Sequence, residues 1–320
     1  MKRIFITRKL VGNAGLLLKK KGFHVNIYNE DHPIPKQELI KKVKDVDALI
    51  NHVTDKIDKE VIESMKKCKV IANHAVGYNN IDVEYANSKG IVVTNTPNVL
   101  TDSTADIAVS LVLACARRLR EGEQMMRTGK FTGYKPYLLL GIELKGKTIG
   151  IIGAGEIGFA TAKRLKAFGT KIIYFNKSRK EKFESELSAK RVSLNYLLKS
   201  SDIISVHLPS SKETFHILNK TNLQLMKKTA VLVNTSRGEI VEERYLIEML
   251  KKKKIFAAGL DVYEGEPDVN PALFKLENVF LLPHIGSATI EARSAISELC
   301  VKNVIAILSG KKAITPVKAN

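Results

Sequence analysis

The segment that most restricts the fold of this chain is Gly153-Ala154-Gly155-Glu156-Ile157-Gly158. It follows an apolar, strand-like run at 148–152 and precedes a helical pattern at 159–168. A GxGxxG string alone is common, but between a buried strand and a helix it marks the phosphate-binding turn of a Rossmann βαβ unit. The first glycine permits a tight turn, the second lets the backbone approach a pyrophosphate, and the third lets helix and strand pack closely. The helix N-terminus then faces the anion with unbonded N–H groups. Gly153, Gly155, Glu156, Ile157 and Gly158 are therefore expected to line a dinucleotide.

The same strand–helix grammar runs through both halves of the 320 residues, a length that suits two domains. Strand-like runs fall at 4–7, 25–28, 48–51, 70–73 and 91–95, with helical stretches such as 15–21 and 36–44 between them. A second series begins at 148 and continues at 171–175, 203–207, 230–234, 257–262 and 279–282. Strands alternating with helices imply parallel sheets, so the expected class is α/β. Between the two series one long helix is expected from about 101 to 126. Its middle, 107–116, is apolar on nearly every face, which predicts burial all round, between domains or between subunits. An amphipathic stretch, Ile290–Leu308, closes the chain.

Composition narrows the partners. The net charge is +19, from 52 Lys and Arg against 33 Asp and Glu. The excess is scattered lysine, and its densest run, Lys251 to Lys254, follows a helical stretch at 242–250, where cations suit a helix C-terminus. No interleaved aromatics offer a base-stacking surface, so nucleic acid is not expected as a partner. A positive field would instead attract anionic keto acids and phosphorylated cofactors. No apolar stretch is long enough to span a bilayer, and the N-terminus does not read as a signal peptide. Cys68, Cys115 and Cys300 are far apart and form no CxxC pair. They read as reduced thiols of a cytoplasmic protein, and no metal is expected.

A dinucleotide site usually places an acid about 20 residues beyond its glycine turn, on the ribose 2′-hydroxyl. Here the strand at 171–175 ends in Asn176-Lys177-Ser178-Arg179, with no acid before Glu181. Lys177, Ser178 and Arg179 would grip a 2′-phosphate, with Asn176 also at the cofactor, so NADP is expected in preference to NAD. Ligands of open parallel sheets bind beyond the carboxyl ends of the strands. Those ends carry His207-Leu208-Pro209, Thr235-Ser236-Arg237-Gly238, Asp261 with Glu264 and Glu266, and Pro283-His284-Ile285-Gly286. Arg237, Glu266 and His284 suit carbonyl reduction. A histidine can protonate the alkoxide left by hydride attack, and a carboxylate beside it favours the charged ring. An arginine fork can hold a substrate carboxylate and polarise the keto oxygen.

The chain resembles the D-isomer-specific 2-hydroxyacid dehydrogenase family. The resemblance lies in Ala75-Val76-Gly77-Tyr78-Asn79-Asn80-Ile81-Asp82, Leu100-Thr101-Asp102-Ser103-Thr104-Ala105-Asp106 and the glycine turn. It continues through Asn234-Thr235-Ser236-Arg237-Gly238, Gly259-Leu260-Asp261-Val262-Tyr263-Glu264-Gly265-Glu266-Pro267 and Pro283-His284-Ile285-Gly286-Ser287-Ala288-Thr289. It implies two Rossmann-like doubly wound parallel-sheet domains, the cofactor domain (100–285) inserted into a substrate domain (1–99 with 286–320). By resemblance, Arg237, Glu266 and His284 are the catalytic trio. Thr104, Thr235, Ser236, Asp261 and Gly286 join His207, Leu208 and Pro209 around the cofactor. Val53, Val76 and Gly77 meet the substrate with Arg237 and His284. A homodimer made largely through the cofactor domains is implied as well. Within the family the chain is most similar to the glyoxylate/hydroxypyruvate reductase branch, with 2-ketogluconate reduction as the alternative and a dinucleotide-sensing corepressor-like scaffold as the alternative of another class. Polar Asn51 and His52, in the loop that carries Val53, are unusual beside a small substrate.

Overall fold

The computed structural model describes residues 1–318. Its contacts divide the chain into two units, one made of Met1–Leu100 with the stretch from Ala288 on, the other of Thr101–Ser287.

The first unit holds a parallel five-stranded sheet. Its strands are β1 (Arg3–Ile6), β2 (His24–Ile27), β3 (Ala48–Asn51), β4 (Val70–Asn73) and β5 (Val92–Thr94), in the order β2-β1-β3-β4-β5. The central strands are continuously apolar because both faces are covered. Ile4, Ile6, Ala48, Ile50, Val70 and Ala72 form one core, packed with Cys300, Val301 and Val304 of the helix Ile290–Leu308. Phe5, Leu49, Ile71 and Val93 alternate with them into a second core on the opposite face.

The second unit holds a parallel seven-stranded sheet. Its strands are β6 (Thr148–Ile152), β7 (Lys171–Phe175), β8 (Lys190–Arg191), β9 (Ile203–Val206), β10 (Val231–Asn234), β11 (Ala257–Leu260) and β12 (Val279–Leu281), in the order β12-β11-β10-β9-β6-β7-β8. The short β8 carries no apolar signal and escapes a reading of the sequence. The order reverses between β9 and β6, and such reversals open a ligand crevice at the carboxyl ends of the strands.

The single long helix expected at 101–126 is two helices, Thr101–Ala116 and Leu119–Arg127. Arg118 between them is left-handed (φ 55°). The incoming chain at Gly141-Ile142 explains the break. Ile142 N donates to Ala116 O at 2.7 Å, and a side chain at Gly141 would lie 2.3 Å from that oxygen. The Ala116 carbonyl is thereby held by a residue outside the helix. Within the single chain this helix is buried over part of its surface. Leu111, Val112 and Cys115 are buried against the sheet, so close that a Cβ on Gly259 of β11 would sit 2.9 Å from Leu111 Cβ. Ile107, Val109 and Leu113, on the remaining sides, stay partly exposed.

Candidate active site

The glycine turn is built as its spacing requires. Gly153 has φ 97°, and a Cβ there would lie 2.6 Å from the His207 carbonyl. A Cβ on Gly158 would lie 2.2 Å from Gly153 O, so the helix Glu156–Lys166 packs directly on the turn. Around Gly155 a Cβ would meet nothing within 4 Å. Gly155 is the N-cap, and no side chain caps the helix. An open backbone cradle with uncapped N–H groups fits a pyrophosphate. Thr235, expected near the same ligand, keeps a buried Oγ1 that has no partner among the described residues. These features fit a nicotinamide dinucleotide.

His207 follows β9. Its Nε2 lies 2.8 Å from Ser205 Oγ, and burial pushes its pKa down to about 3. The ring is therefore neutral at physiological pH and serves to shape the turn, while Leu208 and Pro209 continue the wall. Past β7, Asn176 Oδ1 accepts from Ala154 N at 3.1 Å and ties the ribose-side loop to the glycine turn. Asn176 Nδ2 donates to Ser178 O at 3.0 Å.

Folding brings acids onto two of these cations. Arg179 donates from Nε (2.8 Å) and Nη2 (2.5 Å) to Glu184 Oε2, and Lys177 Nζ lies 3.2 Å from Glu213. A further cation, Arg191 of β8, donates to the carbonyls of Asn176 (3.1 Å) and Lys177 (2.8 Å). Arg191, Arg179 and Glu184 border a cavity of about 590 Å³. Both acids and Arg191 lie outside the four-residue window, so no local pattern points to them.

The trio sits at three adjacent strand ends. His284 Nδ1 lies 2.8 Å from Glu266 Oε2, and Glu266 Oε1 accepts from Tyr263 N at 2.7 Å. The carboxylate is thus locked by backbone on one side and by the ring on the other. His284 itself has φ 54°, an unusual conformation for a non-glycine residue. Asp261 holds that geometry, since its two oxygens accept from Ile285 N and Gly286 N, each at 2.8 Å. Thr104 Oγ1 donates to Gly286 O at 3.2 Å. Asp261 and Thr104 therefore build the His284 turn; burial raises the Asp261 pKa despite the two N–H donors. Arg237 donates to Ser236 O at 2.7 Å. Burial lowers its pKa, opposed by the charges of Glu266 and Glu239. Asn234 Oδ1 accepts from Ser236 N and Oγ, while its Nδ2 donates to Arg237 O, so one side chain sets the whole Thr235-Ser236-Arg237 turn.

In the first unit, Val53, Val76 and Gly77 lie in loops after β3 and β4. Asn51 and His52 are internal scaffold. Asn51 is fully buried and donates to Asn73 Oδ1 at 2.9 Å. The His52 ring packs on His74 with centroids 4.6 Å apart, and its Nδ1 lies 3.2 Å from Thr7 Oγ1. Burial pushes the His74 pKa down to about 4 and His52 well below its ordinary value, helped by the nearby Arg293.

Those depressions carry a pH dependence. Between about pH 6.5, where an unfolded histidine titrates, and pH 4, the unfolded chain binds protons that the native pair refuses. Stability is therefore retained above that window and lost as pH falls through it, by up to about 1.4 kcal/mol per pH unit for each ring. Urea melts at pH 7, 5.5 and 4.5 should show this slope, and His74→Gln should flatten it. An equal slope in the variant overturns the assignment.

Comparison with known proteins identifies the family and the fold. Residues 109–286 match the family described as D-isomer specific 2-hydroxyacid dehydrogenase, NAD binding domain. The glyoxylate reductase of Thermococcus litoralis is 50% identical over 313 residues, covering 97% of this chain and 94% of that protein. A Thermus thermophilus protein of known crystal structure superposes with a TM-score of 0.93 at 41% identity, over 99% of this chain and 100% of that one. The NADPH-dependent glyoxylate/hydroxypyruvate reductase of Sinorhizobium meliloti, solved with NADP and malonate, gives 0.86 at 33% identity, over 99% and 96%.

Proposed function

The chain belongs to the D-isomer-specific 2-hydroxyacid dehydrogenases and is an NAD(P)-dependent enzyme, and on that premise we propose that it reduces glyoxylate or hydroxypyruvate to the D-2-hydroxy acid with NADPH. The observation that carries the proposal is the His284–Glu266 pair at 2.8 Å, held at the carboxyl ends of β11 and β12. When bound, the reduced nicotinamide supplies a hydride to the keto carbon. Protonated His284 gives its Nε2 proton to the oxygen as charge develops there, and Glu266 holds the ring through Nδ1. Arg237 binds the substrate carboxylate and polarises the carbonyl. Val53 and the Val76-Gly77 backbone complete the substrate contacts.

A small substrate is favoured because Asn51 and His52 are engaged inside their own unit. They offer no polar lining for the hydroxyls of a sugar acid such as 2-ketogluconate. A panel of glyoxylate, hydroxypyruvate, pyruvate and 2-ketogluconate with each cofactor tests this. The highest kcat/KM is expected with one of the first two and NADPH. A maximum with 2-ketogluconate, or no turnover at all, refutes the proposal.

NADPH preference rests on Lys177, Ser178 and Arg179, with Arg191 behind them. Glu184 competes with a 2′-phosphate for Arg179. Glu184→Gln should therefore lower KM for NADPH by several-fold, the scale of one charge-assisted hydrogen bond, and leave NADH almost unchanged. A parallel change for both cofactors argues against a 2′-phosphate at Arg179.

The enzyme is further proposed to be a cytoplasmic homodimer. Three buried cysteine thiols without disulfides suit a reducing compartment. In the second unit Leu119, Met126, Phe131, Tyr134, Tyr137 and Leu140 are exposed, apolar side chains that a partner subunit would cover.

A further inference from the structure

In the first unit the turn after β4 has three successive carbonyls held from behind. Ala75 O accepts from Thr96 N at 3.0 Å, Val76 O from Asn95 Nδ2 at 2.8 Å, and Gly77 O from Asn73 Nδ2 at 2.8 Å. Across a trans peptide, a carbonyl and the next N–H point in opposite directions. The N–H groups of Val76, Gly77 and Tyr78 therefore turn away from these donors. Among the described residues none of the three has an acceptor. Successive free N–H groups in a turn make a concavity suited to an anion. This one lies at the carboxyl end of a parallel strand, the ligand side of such a sheet.

The donors are themselves fixed. Asn73 Oδ1 accepts from Asn51 Nδ2 at 2.9 Å and from Asn80 Nδ2 at 3.3 Å, which leaves only its Nδ2 to face Gly77. Asn80 Nδ2 also reaches the Asp55 carbonyl at 3.0 Å, tying this turn to the loop that carries Val53. The arrangement leaves Asn51 Oδ1 and Asn80 Oδ1 buried with no partner among the described residues. Buried orphans cost stability, and they gather where placement matters more than stability.

We propose that Asn95 and Asn73 are positioning residues for keto-acid reduction, holding back the Val76 and Gly77 carbonyls so that the N–H groups of Gly77 and Tyr78 face the substrate carboxylate. This rests on the reading that the turn receives that carboxylate. Without Asn95 the Val76–Gly77 peptide is free to rotate and to present a carbonyl oxygen where the anion binds. The carboxylate keeps its charge throughout the reaction, so the interaction is as strong in the ground state as in the transition state. Its loss appears in KM and spares kcat.

Two measurements separate the proposal from the reading beneath it. In the wild-type enzyme with NADP, oxalate should slow amide hydrogen exchange across residues 74–80. No protection there overturns the carboxylate reading, and the positioning role with it. Asn95→Leu is close in size and lacks the donor. It should raise KM for glyoxylate and Ki for oxalate about tenfold, the loss of one hydrogen bond to a charged group. Its kcat should stay within about threefold and its KM for NADPH should not move. Should Asn95→Leu fail to fold, Asn95→Ser is measured instead, with Asn73→Ser as the second position. Protection by oxalate in the wild type, together with an unchanged glyoxylate KM in a folded variant, overturns the positioning role and leaves the carboxylate reading standing.

Discussion

His284→Ala is expected to lower kcat for keto-acid reduction by on the order of 10²–10⁴, the usual worth of a positioned general acid. The ring lies at the end of β12, held by Glu266 through Nδ1 at 2.8 Å, with the backbone of its turn pinned by Asp261. The backbone of that turn is held without the imidazole. The variant should fold and bind NADPH with unchanged affinity, so the loss falls on the chemical step. Glu266→Gln keeps the shape of the pair and the acceptor for Tyr263 N but removes the charge, and its loss should be smaller than that of His284→Ala. Single-turnover reduction with saturating NADPH reads the step directly. Wild-type kcat in His284→Ala would show that another group delivers the proton.

Gly238→Ala is expected to be nearly as damaging, through geometry alone. A Cβ at Gly238 would lie 1.9 Å from the Tyr263 carbonyl carbon, 2.0 Å from its oxygen and 2.3 Å from Glu264 N. These are backbone atoms, so no rotamer change relieves the clash, and two segments must separate. One carries Arg237, and the other carries Tyr263, whose N–H holds Glu266. The methyl group would displace both functional arms at once. Activity should fall by about a hundredfold, the scale of an ångström-level misplacement. Stability should fall by about 1–3 kcal/mol from overpacking. Near-normal kcat/KM and an unchanged melting midpoint would mean that the two loops are free to part without consequence.

The strand positions were legible in the chain because buried parallel strands are short, continuously apolar runs, and β3, β4 and β6 stand where those runs stand. The glycine turn was legible because each of its glycines answers a separate steric demand. The trio was legible as residue types following successive strands. The long helix was misread because apolar periodicity runs on past Ala116. Only the crossing chain at Gly141-Ile142, from another part of the sequence, ends it.

By itself, then, the sequence determined the βα alternation, the dinucleotide turn and the chemical groups beyond the strands, since all of these rest on local pattern and side-chain type. Tertiary structure alone decided what each group faces. It placed Glu184 on Arg179, which the absence of a nearby acid had left free, and it added Arg191 from an edge strand too short to read. It engaged Asn51 and His52, whose polarity was unusual beside a small substrate, inside their own unit, and it gave Asp261 the task of holding the His284 turn. Glu184 lies only five residues beyond Arg179, and the turn into the helix Glu181–Leu187 decides that pair; the other three share one reason. Hydrogen bonds and ion pairs between residues distant along the chain depend on which strand ends the sheet order makes neighbours, and no window of sequence contains that order.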